Sequence, residues 1–201
     1  MTAPWRIDWP DQGGEALAVI LPGLRYDAGM PLLAMAGDEM ARRGVAVARV
    51  AFSYADDAGF MGRPEAGQIR QITADGVAIM AAVAARHQGP LWLIGKSLGT
   101  ISMMGRGPFD GGATHTRHIW LTPSLIGTGL AGVMARQGGF CLIGSRDPAR
   151  DQAVMLHRPP HLRVAEIAGA DHGWNGDGDL VARAAAALRG WLEGPESGRL
   201  S

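Results

Sequence analysis

The stretch LWLIGKSLGT (residues 91–100) sets the chain's single lysine, Lys96, directly before Ser97 and brackets the pair with Gly95 and Gly99. Two chemistries share this spelling. Gly-Lys-Ser closes the phosphate-binding pattern G-x-x-x-x-G-K-[ST], whose loop wraps backbone N–H groups around phosphate oxygens. That pattern needs a glycine at position 90, where the chain has Pro90, and Gly89 is one place too early. It also needs a loop where the chain has Leu91, Trp92, Leu93 and Ile94. Four large apolar residues in a row suit a buried parallel strand and cannot fold around a pyrophosphate. The other spelling, G-x-S-x-G, marks a strand-to-helix turn, the nucleophile elbow, that lifts a serine hydroxyl above the sheet edge at a conformational cost of about 1–3 kcal/mol. Gly95 and Gly99 then leave room where a side chain would strike the neighbouring strand or the following helix.

Outward from this turn, short apolar runs alternate with helical patterns. The runs occupy residues 16–23, 45–54, 91–95, 118–124, 140–147 and 162–169, with a short seventh candidate in PWRIDWP (4–10). Ile69, Ile72, Met80 and Val83 share one face at 100° per residue, which predicts a helix over 65–87. Leu180, Ala184, Ala187, Leu188 and Trp191 predict a last helix, with Asp177 and Asp179 at its start and Gly194-Pro195 beyond its end. Parallel strands need crossovers, and the crossover helices bury the sheet. The pattern therefore predicts a doubly wound α/β fold: a mostly parallel sheet of six to seven strands with helices on both faces, in a single domain over residues 1–201. The glycine-rich region 105–117 is expected to be a surface loop.

Composition narrows the function. Nineteen basic and nineteen acidic residues cancel, and no run of Lys or Arg is present to neutralise a phosphate backbone, so nucleic acid is not an expected partner. The best apolar stretch, ALAVIL, is far short of the roughly 20 residues a membrane helix needs, and the opening residues lack a signal-peptide core. Together with a lone Cys141, expected to be a buried thiol, this points to a cytoplasmic protein. His157 and His161 are separated by Arg158-Pro159-Pro160, which precludes the helix that would aim both rings at one metal. Neither a metal nor a cofactor is expected, and the oligomeric state is left open.

In sheets of this kind reactive groups collect beyond the carboxyl ends of the strands. The loops there read PGLRYDAG, GKS, SRDP and GADHGW. A serine hydroxyl needs a base to take its proton, an orienter for the base, and donors for the developing oxyanion. The candidates run Ser97, Asp147, His172, the order expected when an elbow begins the set. Asp151, Asp171 and Asp177 are rivals for the acid; Asp171, adjacent to His172, is read as loop support. Carried by GKSLG, SRDP, DHGW and PGLRYD, the chain resembles, over residues 16–193, a small member of the α/β-hydrolase superfamily, similar to the lid-poor dienelactone-hydrolase-like esterases.

That resemblance implies Ser97 as nucleophile, His172 as general base and then acid, and Asp147 as the orienting carboxylate. It also implies an oxyanion hole from the backbone N–H groups of Leu24 and Leu98, with Pro22 where many members have histidine. The expected activity is a serine hydrolase acting on a small-molecule ester or thioester; the alternative is a non-catalytic binding or scaffold protein of the same fold. Because the loop PSLIGTGL after the fourth long run is short, the site is expected to be open, with little apolar surface for a long acyl chain. Arg25, Tyr26, Lys96, Trp174 and Asn175 are candidates to line the pocket; the alternative for Tyr26 and Trp174 is to cover the edge of the core, and Lys96 is read as a solvated side chain or an attractor of anionic substrates.

Overall fold

Alternation along the central strands decides which face each side chain buries. In a computed structural model describing residues 3–105, 116–174 and 178–194, strands Leu17–Leu21 (β2), Ala46–Phe52 (β3), Leu91–Ser97 (β4), Thr116–Pro123 (β5), Gly139–Gly144 (β6) and Leu162–Ile167 (β7) pair in parallel. Trp5–Asp8 (β1) joins antiparallel at the outer edge of β3, and the order across the seven-stranded sheet is β1-β3-β2-β4-β5-β6-β7. The order reverses direction at β2, so helices fall on both faces.

On one face Ala18, Ile20, Trp92, Ile94, Ile119 and Phe140 meet helices Pro31–Ala41 (α1) and Gly178–Glu193 (α7) through Leu32, Leu33, Met40, Ala184, Leu188 and Trp191. On the other, Val19, Leu93, Trp120 and Cys141 meet Glu65–Ala84 (α3), Leu130–Gln137 (α5) and Arg150–Met155 (α6) through Ile79, Met80, Val83, Leu130, Met134 and Ala153. Neighbouring strand residues thus go to opposite clusters, as a period of two requires. Each fully buried large side chain stabilises the sandwich by about 1.5–3 kcal/mol. Two shorter helices, Ala58–Met61 (α2) and Leu98–Ser102 (α4), complete the helical set among the described residues, beside a single 3-10 turn at Tyr54–Asp56.

A carboxylate ties the first helix to the last. Glu39 of α1 is 2% exposed at its side chain and accepts bonds from Arg189 of α7 at 2.6 Å, Arg43 at 2.9 Å and Arg42 at 2.6 Å. Burial by itself would raise its proton affinity; three guanidinium groups outweigh that and hold the carboxyl down at about 2.

All six long apolar runs and the short N-terminal one form strands. The helix expected over 65–87 ends at Ala84, and β5 begins at Thr116, two residues before its run. Helix α1 has no counterpart in the sequence reading, although Pro31 stands at its first position and Leu32, Leu33, Ala36 and Met40 form a buried stripe along one face. Residues 106–115 of the expected surface loop, and Asn175 and Asp177, lie outside the described residues. No described helix is long and apolar enough to cross a membrane.

Candidate active site

β4 ends on Ser97 and α4 begins at Leu98. Ser97 has φ 50° and ψ −118°, a conformation that residues with a Cβ rarely adopt and that costs about 1–3 kcal/mol. Several contacts hold it. The Thr100 hydroxyl donates to the Ser97 carbonyl at 2.5 Å and the Ser102 hydroxyl to the Gly99 carbonyl at 2.7 Å. The two glycines let the backbones close: a Cβ on Gly99 would run into the Leu21 carbonyl at the end of β2, and one on Gly95 into Met103 Sδ and the Gly99 carbonyl. Gly99→Ala is expected to destabilise the fold by about 3 kcal/mol, since the obstacle is backbone and not a movable side chain. A denaturant midpoint within error of the parent would refute this reading of the turn. The neighbouring strand gives way at the same level: the β4–β5 register slips between Lys96 and Ser97, and Thr122 takes φ 42°.

Around the turn the three sequence candidates meet. The imidazole of His172 stands with Nε2 2.8 Å from Ser97 Oγ and Nδ1 2.7 Å from Asp147 Oδ2. A carboxylate only accepts, so Nδ1 carries the ring proton and Nε2 is left to accept from the serine hydroxyl. The other carboxylate oxygen of Asp147 accepts the Ala149 N–H at 2.9 Å. Exposure is graded along the chain of bonds: the Asp147 side chain is 1% exposed and that of His172 39%, so the carboxylate is sequestered while the ring and hydroxyl face the cleft.

Main-chain bonds position the two loops that deliver acid and imidazole. Ser145 N–H donates to the Ile167 carbonyl at 3.0 Å, Arg146 N–H to the Ala170 carbonyl at 2.9 Å, and Gly169 N–H to Ser145 Oγ at 2.9 Å. Asp171 accepts the Trp174 N–H at 2.7 Å, the loop support its adjacency to His172 led us to expect. On the opposite side the loop after β2 crosses close above the serine: an added Cβ on Gly23 would lie 3.4 Å from Ser97 Cβ. Leu24, next along, and Leu98 both line the cleft beside Ser97.

The cleft has a volume of about 390 Å³ and is walled mainly by Leu24, Ile69, Leu98, Ile101, Leu125 and Ile126. Its remaining boundary includes Ser124, whose hydroxyl lies 3.5 Å from Ser97 Oγ, and Glu65, the first residue of α3. This corrects the expectation of a site poor in apolar surface. The short loop after β5 is itself a wall, tied down by the Thr128 hydroxyl donating to the Ser124 carbonyl at 2.6 Å, and Ile126 at its tip is 54% exposed. The facing wall, Glu65 and Ile69, comes from α3 and was missed in the sequence, because nothing local in that helix records what stands opposite its first turns.

Four of the residues expected to line the pocket do not. Arg25 is exposed with φ 56°, while Tyr26 and Trp174 are 6% and 3% exposed and belong to the core. Lys96 is neither solvated nor in the cleft: it is 2% exposed, donates from Nζ to the His172 carbonyl at 3.1 Å, and lies 4.2 Å from the centroid of the Tyr26 ring. Alternation along β4 explains the miss, since the residue before an outward-facing serine points back into the protein.

No protein-family model matches the chain, and no curated protein matches it in sequence. Solved structures do resemble it. An α/β serine hydrolase homologue from Coxiella burnetii superposes with a TM-score of 0.64 at 16% identity, over 92% of this chain and 90% of that one. A structure from the thaumarchaeon Nitrososphaera gargenis, reported in a description of its carboxylesterases, gives 0.63 at 11% identity over 94% of each chain. Est1E from Butyrivibrio proteoclasticus gives 0.58 at 14% identity, again over 94% of each. The protein has the α/β-hydrolase fold.

Proposed function

We propose that the protein is a serine hydrolase that cleaves carboxylic esters or thioesters of uncharged, mainly apolar acids through an acyl-enzyme on Ser97. The observation that carries this is the unbroken run of hydrogen bonds from Asp147 through His172 to Ser97, at 2.7 and 2.8 Å. In the acylation step Ser97 Oγ attacks the ester carbonyl carbon while its proton passes to His172 Nε2. The carbonyl oxygen becomes an oxyanion against the N–H groups of Leu24 and Leu98. Collapse of the tetrahedral species expels the alcohol or thiol, which takes the proton from the imidazolium. Water then repeats the sequence against the acyl-enzyme and frees the acid.

The cleft supports the substrate class. Its volume falls within the range of small-ligand sites, its walls are apolar, and among the described residues no lysine or arginine lines it. Glu65 places a carboxylate on its boundary, which opposes an anionic substrate.

A fluorophosphonate probe is expected to label Ser97, located by mass spectrometry of the digest. Across nitrophenyl esters of increasing acyl length, kcat/KM is expected to rise by up to about fourfold per methylene until the cleft is filled, from about 0.8 kcal/mol per buried CH₂. A folded preparation that takes no label and cleaves no ester of the series would leave the binding or scaffold reading in its place.

A further inference from the structure

Lys96 stands in β4 after five residues that are all buried, and it is buried itself, at 2% exposed. Burying an ammonium is costly unless it is paired or hydrogen-bonded. The groups facing it come from three different loops. Tyr26, after β2, lies under the ammonium with its ring centroid 4.2 Å away. Asp147, after β6, and Asp171, after β7, act on it through their charges. His172, also after β7, accepts its hydrogen bond through the backbone carbonyl, at 3.1 Å. Tyr26 is fixed in turn, because its hydroxyl accepts the Leu32 N–H of α1 at 3.0 Å. The one lysine of the chain therefore joins the elbow strand to the loop passing over the serine, the acid loop and the imidazole loop.

We infer that Lys96 is a positioning residue of the proposed hydrolase: its ammonium holds the backbone carbonyl of His172 and feels the charges of Asp147 and Asp171, and so sets where the imidazole stands and the field around it. The inference rests on the function proposed above. Two effects follow from the placement. A bond to the backbone of His172 limits how far its ring can drift from Ser97 Oγ, and an error of about 1 Å in such a contact can cost about a hundredfold in rate. A positive charge beside Asp147 and Asp171 also offsets part of the negative charge those carboxylates place near the imidazole, so removing it changes the field the ring feels. Burial pushes the proton affinity of Lys96 down, Asp147 and Asp171 push it back up, and the balance lies at about 8.

Lys96→Met keeps the length and apolar stem of the side chain and removes the charge. Its kcat is expected to fall about 10- to 100-fold. KM should stay within about twofold, because Lys96 does not line the cleft. The acid limb of the kcat/KM profile is expected to move to higher pH by about 0.5–1 unit, because two carboxylates then act on the ring without their counter-charge. The acid limb decides. A folded Lys96→Met enzyme whose acid limb has not moved overturns the inference, whatever its kcat, since a lysine that only glues the loops together gives that result.

Should Lys96→Met fail to fold, the unaltered protein answers instead. Labelling with ¹⁵N-lysine gives one Nζ resonance, because the chain has one lysine. Its titration midpoint is expected to fall once Ser97 is phosphonylated and the imidazole beside it holds a second proton, as a positive charge; a midpoint that ignores phosphonylation counts against the coupling and defeats the inference. A wild-type protein that takes no probe and cleaves no ester removes both the function and the inference. Normal wild-type activity with an unmoved acid limb in the variant removes the inference alone.

Discussion

Ser97→Ala is expected to lower kcat toward ester substrates by about 10⁴- to 10⁶-fold while leaving the fold in place. The chemical reason is that, on the proposed mechanism, Ser97 Oγ is the atom acylated; without it His172 can only activate water, with no covalent intermediate to split the barrier. The structural reason is that little else depends on the hydroxyl. It bonds His172 Nε2 at 2.8 Å and stands 3.5 Å from Ser124 Oγ, and its loss removes about 0.5–1.5 kcal/mol of hydrogen bonding. Alanine also has a Cβ, so the strained φ of 50° is no worse than in the parent. A thermal melt close to the parent, loss of probe labelling and loss of turnover should appear together. Turnover retained in a folded Ser97→Ala protein would mean that another group carries the chemistry.

Asp147→Asn is expected to cost about 10⁴-fold in kcat, with less effect on KM. Asparagine matches the shape of the buried side chain and can still accept the Ala149 N–H through its carbonyl oxygen. What changes is the partner of His172 Nδ1. An amide N–H₂ placed there donates, which favours the tautomer with the proton on Nε2, and that nitrogen can no longer accept from Ser97. The substitution therefore separates orientation from mere packing. Steady-state rates near neutral pH beside a melting curve would show it, and a loss of less than tenfold in a folded protein would return Asp147 to the status of a loop cap.

These two substitutions touch residues that the sequence alone marks as candidates. Gly95, Ser97 and Gly99 form a local motif, and the steric demand behind it is equally local: the Leu21 carbonyl leaves no space for a Cβ on Gly99. Asp147 and His172 lie 50 and 75 residues from the serine in sequence but follow strands of one parallel sheet, so their loops must open at the same edge. Helix α1 carries local signals, Pro31 at its start and the stripe of Leu32, Leu33, Ala36 and Met40, which mark a helix but do not place it in the fold. Its position comes instead from Leu32, Leu33 and Met40 packing on the sheet and from the grip of Arg189 on Glu39.

Read alone, then, the amino-acid order determined the layering of strands and helices, the elbow, and which three side chains converge, because each follows from periodicity, turn sterics or the single direction of parallel strands. Tertiary structure decided the surroundings of that centre. Whether Lys96 faced water or the underside of His172, and whether Ile69 of α3 stood opposite Leu125 and Ile126 to make an apolar cleft, depended on contacts between segments far apart in the chain. Such contacts are set by how whole elements pack, and no local run of residues encodes them.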